Sequence, residues 1–165
     1  FNMLKARLYE YEIQKKEEMQ KNPGLRTKDF ENTVKSCKRF LRSPSTIFSY
    51  AEGTRFTKDK HSSQNSPYKN LLIPKIGGMA TALSAMPEIN TLIDYSLVYK
   101  SKKRGAWYFL TGEMKQVKVL VTKHKIPESL KGKNYSEDYQ YREDFKDWID
   151  SIWQQKDADI EKLKF

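Results

Sequence analysis

Apolar residues recur at helical spacing early in the chain. Leu4, Leu8, Tyr9 and Ile13 run through a stretch dense in Lys, Glu and Gln, so residues 1–21 predict an amphipathic helix that stops before Asn22-Pro23-Gly24. Phe30, Val34, Cys37 and Leu41 predict a second helix, closed by Ser43-Pro44 and with Cys37 on its core stripe. Thr46–Tyr50, short, aromatic and β-branched, reads as a buried strand feeding into Glu52-Gly53-Thr54-Arg55. Residues 57–70 are polar and read as a surface excursion. Pro74-Lys75-Ile76-Gly77-Gly78 then opens a small-residue helix that Pro87 closes, suited to close packing on a sheet. Strands are predicted over 91–99, 105–111 and 116–123, the last with Val117, Val119 and Val121 alternating with Lys118, Leu120 and Thr122. Gly112-Glu113-Met114 is the expected hairpin turn, and residues 124–140 lack a period and read as a loop. Phe145, Trp148, Ile149, Ile152, Trp153, Ile160 and Leu163 line one face of a long terminal helix. Helices alternating with strands predict a layered α/β domain, a mixed sheet flanked by helices.

Charge changes this picture. The 165 residues carry a formal net charge of +10. Most of it is local: residues 98–135 hold ten Lys/Arg against two Glu, net +8, whereas 136–165 hold five against nine Asp/Glu, net −4. Such a patch favours phosphate-rich partners, namely an anionic membrane surface, a phosphorylated small molecule or nucleic acid. The single cysteine rules out an internal disulfide and any multi-cysteine metal site, which fits a reducing compartment. No apolar run approaches the roughly twenty residues that span a bilayer. The first residue, Phe1, is read as an internal start, so the whole of 1–165 is expected to be the C-terminal portion of one domain, incomplete at its N-terminus.

The candidate chemistry lies in Glu52-Gly53-Thr54-Arg55 and Lys75. Gly53 lets the backbone approach a ligand closely, and Thr54 offers a hydroxyl. Arg55 supplies a fork of donors matched to phosphate oxygens, and Lys75 a second positive charge. Glu52 would repel phosphate and is expected instead to orient Arg55 or neighbouring backbone. The bland reading is a strand-ending turn.

Tyr50-Ala51-Glu52-Gly53-Thr54-Arg55 resembles the third sequence block of the lysophospholipid (1-acylglycerol-3-phosphate) acyltransferase family, Phe-Pro-Glu-Gly-Thr-Arg, departing from it at Tyr50 and Ala51. The subgroup resembling lysocardiolipin acyltransferase shares more: Ser66-Pro67-Tyr68, Leu72, Pro74-Lys75, Gly77-Gly78, the run Ile93–Tyr99, Ile126-Pro127, and Trp148, Trp153, Lys156 and Asp157. The resemblance covers about residues 28–165. It implies a glycerolipid acyltransferase-like fold that moves an acyl chain from a thioester, on coenzyme A or acyl carrier protein as co-substrate, to the hydroxyl of a lysophospholipid such as lysophosphatidic acid. The phosphate-binding role then falls on Glu52, Gly53, Thr54, Arg55 and Lys75, with Arg7 as a weaker contact from a remnant second block. No bound cofactor or metal is implied. The resemblance also places the protein at the cytoplasmic face of the inner membrane, anchored by a segment before Phe1.

The family's catalytic base is a histidine with an aspartate five positions later, and this chain has no such pair. Five positions after His61 stands Ser66, and five after His124 stands Ser129. The segment is therefore expected to be inactive alone. The alternatives are a non-enzymatic basic module on an anionic lipid surface and a nucleic-acid binder. The latter rests on Arg104-Gly105-Ala106-Trp107-Tyr108-Phe109, which faintly resembles the aromatic strand of an RNA-recognition motif but has Ala106 where an aromatic belongs.

Overall fold

A computed structural model describes residues 32, 35–37, 46–101, 103, 105–135 and 137–165. The chain divides into two compact units, Phe1–Ser45 and Thr46–Phe165. In the first, Asn32 and Lys35–Cys37 are helical and Cys37 is half-buried. The helix predicted over 1–21, and Phe30, Val34 and Leu41 of the second, lie outside the described residues.

The second unit is mixed α/β: α1 (Lys58–Ser63), α2 (Gly77–Ala85), β1 (Thr91–Tyr99), α3 (Ala106–Leu110), β2 (Val117–Lys125), a 3-10 turn (Glu128–Leu130) and α4 (Tyr139–Leu163). Instead of the expected mixed sheet, the described residues form a two-stranded antiparallel one, running from Thr91↔Lys125 to Tyr99↔Val117.

Helix α4 organises the core. Asp138 caps it, accepting from the Tyr141 N–H at 2.9 Å. Tyr141, Phe145, Ile149 and Ile152 form its buried stripe at intervals of three or four, so one face lies against Ala80 and Leu83 of α2, Tyr68, Leu71, Ile126 and Leu130. The buried Tyr141 hydroxyl donates to the Leu130 carbonyl at 3.0 Å, so it enters the core already paired. The alanines of α2 fit this contact, and that helix meets Tyr141 and the 130–132 segment rather than a sheet.

A second stripe of α4 is polar and clamps the loop before α2. Asp150 accepts from the Tyr68 hydroxyl at 3.1 Å, and Trp153 Nε1 donates to the Leu72 carbonyl at 3.2 Å. Asp157 accepts from the backbone N–H groups of Lys69 and Asn70, each at 2.8 Å, and Glu161 accepts from Asn70 Nδ2 at 2.9 Å. Beside them Lys156 pairs with Asp94 of β1 at 2.5 Å, both side chains only 12% exposed. Removing one partner of so buried a pair costs about 3–5 kcal/mol.

Three expectations change. Residues 46–50 belong to no helix or strand, with Phe48 84% and Tyr50 92% exposed, because a run of β-formers becomes a strand only where a neighbour supplies hydrogen bonds. Residues 105–111, expected as a strand, contain α3, since β1 pairs directly with β2 and leaves the intervening chain no partner. Gly112 is then a helix terminator: with φ +73° it donates to Phe109 O at 3.1 Å while the Glu113 N–H donates to Tyr108 O at 2.9 Å, a Schellman closure. Within the polar excursion, α1 forms behind Thr57, whose hydroxyl accepts from the Lys60 N–H.

The sheet turns Leu92, Asp94, Ser96 and Val98 inward, while Ile93, Tyr95, Leu97, Val117, Val119 and Val121 are exposed on its other face. Phe145→Ala should lower unfolding free energy in urea by about 3–5 kcal/mol, since the ring is fully buried. A loss below about 1 kcal/mol would mean that α4 is not the centre of the core.

Candidate functional site

The turn after Tyr50 is fixed from both sides. The Gly53 N–H donates to the Tyr50 carbonyl at 2.8 Å, and the Lys75 N–H donates to the Ala51 carbonyl at 2.6 Å. Gly53 sits at φ +64°, a left-handed conformation that disfavours a side chain. The space is also taken: a Cβ there would meet the Lys75 side chain at 3.0–3.3 Å, from Cδ to Nζ. Lys75 therefore lies directly over the bare backbone of Gly53, although twenty-one residues of polar loop and helix separate them. The clamp on residues 68–72 delivers it there.

Thr54 and Arg55 are exposed at the same turn. Lys60, from the last turn of α1, donates to Thr54 Oγ1 at 2.5 Å and approaches the Arg55 carbonyl at 3.4 Å. With its oxygen accepting from Lys60, the Thr54 hydroxyl keeps its own proton to donate. The Arg55 guanidinium has no ion-pair partner among the described residues. Gly53, Thr54, Arg55, Lys60 and Lys75 thus form a donor-rich, cationic turn.

Glu52 turns away from it. Its half-buried carboxyl accepts from the Leu72 backbone N–H and feels Lys156. Burial pushes its pKa above the ordinary 4.5, opposed by that hydrogen bond and by the Lys156 charge. The acid is thus directed to the Leu72 segment.

Of the expected set Glu52, Gly53, Thr54, Arg55 and Lys75, all but Glu52 meet on the cationic side of the turn, and Lys60, which reads in sequence as one charge in a polar run, joins them. Its only signal is Thr57 as a helix N-cap, which converts residues 58–63 from loop to helix and turns Lys60 back. Arg7 lies outside the described residues. His61 belongs to α1, not to a loop, with Nε2 at 2.5 Å from the Tyr68 carbonyl and its ring 5.6 Å from that of Phe56. His124 lies in β2 opposite Leu92. No group of three or more metal-ligating side chains occurs among the described residues, and no helix among them is long and apolar enough to cross a membrane.

Comparison with protein-family models, curated proteins and solved structures returns no match.

A carboxyl whose folded pKa is raised holds its proton more tightly when folded. Its contribution is full below the unfolded value and is lost as pH rises through the folded one. Glu52→Gln should therefore gain melting temperature relative to wild type on going from pH about 4 to about 7. A difference that stays constant across that range would show that the Glu52 carboxyl is not held in this environment.

Proposed function

We propose that this chain supplies the acceptor-phosphate half of a glycerolipid acyltransferase. The observation that carries the reading is the turn at Gly53: bare backbone under Lys75, Thr54 with a hydroxyl proton left to donate, an Arg55 fork with no ion-pair partner among the described residues, and the Glu52 carboxyl turned inward. A phosphate monoester fits there, with Arg55 and Lys75 balancing its charge and Thr54 donating to a third oxygen. The segments that resemble the family also meet one another: Tyr68 and Leu72 bond to α4, and Asp94 of the Ile93–Tyr99 run bonds to Lys156.

Fixing the phosphate of a lysophospholipid such as lysophosphatidic acid fixes its free hydroxyl, and positioning of this kind lowers a bimolecular barrier by several kcal/mol. The hydroxyl oxygen attacks the carbonyl of an acyl thioester, on coenzyme A or acyl carrier protein. The new C–O bond replaces the C–S bond, the thiol leaves, and a base takes the hydroxyl proton. Among the residues of this chain there is no His followed five positions later by Asp. The base must come from elsewhere in an intact protein, at the surface of an anionic membrane such as the cytoplasmic face of the inner membrane.

That missing pair also favours a second reading, a non-enzymatic module that keeps the lipid-phosphate site. Of the alternatives on the basic side, the RNA-recognition resemblance loses its strand, since Ala106–Leu110 is helical.

Titration of this chain with lysophosphatidic acid, followed by NMR of the Gly53 and Thr54 amides, tests the phosphate site. Arg55→Ala should weaken binding by about tenfold or more and Arg55→Lys by less, because only Arg offers two parallel donors. In the intact enzyme, acyl transfer should fall by about a hundredfold with Arg55→Ala. Unchanged binding in Arg55→Ala would refute the phosphate site, whereas binding without transfer by the intact protein would establish the non-enzymatic module.

A further inference from the structure

The connection between β1 and β2 carries a feature that the phosphate site does not use. Helix α3, Ala106–Leu110, stands at the end of the sheet beyond the Tyr99↔Val117 pair and exposes three large apolar side chains: Trp107 at 71%, Phe109 at 69% and Leu110 at 75%. Trp107 and Leu110, at i and i+3, share a side with Phe109 next to Leu110, an arc of roughly 160° at helical spacing. Tyr108 faces the opposite way and is half-buried, its ring 5.2 Å from Lys103 Nζ. The protruding set is therefore an outward-facing apolar wedge.

Basic residues dominate the sequence around it. Between residues 100 and 118 the sequence holds Lys100, Lys102, Lys103, Arg104, Lys115 and Lys118 against Glu113 alone among acids. Lys100 and Lys115 are exposed. Lys103 is 3.9 Å from Glu113 and its side chain is 66% exposed, so this contact leaves the ammonium largely in water. The wedge is held in place: the Lys100 N–H donates to the Gln116 carbonyl at 3.2 Å, Lys100 Nζ to Gln116 Oε1 at 2.8 Å, and the Schellman closure at Gly112 fixes the end of α3.

We propose that α3 is a membrane-surface anchor: Trp107, Phe109 and Leu110 enter the headgroup–acyl boundary of an anionic bilayer while the flanking lysines bind lipid phosphates. Indole and phenyl rings favour that boundary, and basic side chains beside an apolar insert couple it to negatively charged headgroups. Nucleic acid fits the same charge less well, since Leu110 offers no π-face for a base to stack on. The anchor gives the acyltransferase reading its lipid surface, but vesicle binding is measured without turnover, so either proposal can fail while the other stands.

The test is cosedimentation of the 165-residue chain with sucrose-loaded vesicles, either phosphatidylcholine alone or with about 30% replaced by phosphatidylglycerol. Anionic vesicles should bind at least about tenfold more tightly than neutral ones. Trp107→Ala/Phe109→Ala/Leu110→Ala should lose about tenfold or more of that binding. Trp107→Phe should still bind but lose the blue shift of tryptophan emission and the quenching by brominated lipid expected of wild type, which assigns the inserted indole. Full binding by the triple variant, quenching that persists in Trp107→Phe, or binding to single-stranded RNA with none to anionic vesicles would each overturn the proposal.

Discussion

The stripe Asp150, Trp153, Asp157 and Glu161 on α4 fixes residues 68–72, and the candidate site depends on that contact. These residues recur at intervals of three and four, so one helix presents an unbroken row of partners to an otherwise irregular segment. Asp157 matters most, because one carboxylate accepts two consecutive backbone N–H groups and the Asn70 amide. Charge-assisted bonds of this kind contribute about 1.5–3 kcal/mol each, enough to hold a loop that has no ladder of its own.

Two consequences follow from a fixed residue 72. Its N–H draws the Glu52 carboxyl inward, and the chain leaving it brings Lys75 over Gly53 within three residues. The same arrangement thus removes a negative charge from the turn and adds a positive one. Lys156 extends the device to the sheet, pairing with Asp94 and donating to the Tyr95 carbonyl at 3.1 Å. Turn, loop, sheet and terminal helix are linked by polar contacts around one apolar core, and among the described residues no deeply buried polar side-chain atom lacks a hydrogen-bond partner.

Positive charge serves two separate places. Lys60, Arg55 and Lys75 gather at the turn, whereas Lys100, Lys103 and Lys115 belong to the β1–β2 connection that carries the apolar tip. A lipid substrate lying in a bilayer would present a phosphate to the first and a surface to the second, which is the relation between the two proposals.

Periodicity determined much of the fold by itself. The 91–99 strand coincides with β1, the 116–123 strand lies within one residue of the start of β2, and the α4 stripe of Phe145, Ile149, Ile152 and Trp153 is buried as expected. Local chemistry also marked Gly53, Thr54, Arg55 and Lys75, because a glycine beside a hydroxyl and an arginine has a meaning independent of context. Only tertiary structure decided the rest. Thr46–Tyr50 and Ala106–Leu110 have similar apolar, aromatic character, yet one forms no regular element and the other is helical, since strand formation depends on a neighbour that local pattern does not encode. The placing of Lys60 at Thr54 and of Glu52 at Leu72 likewise required the fold, because hydrogen bonds between residues apart in sequence follow from packing and leave no periodic trace.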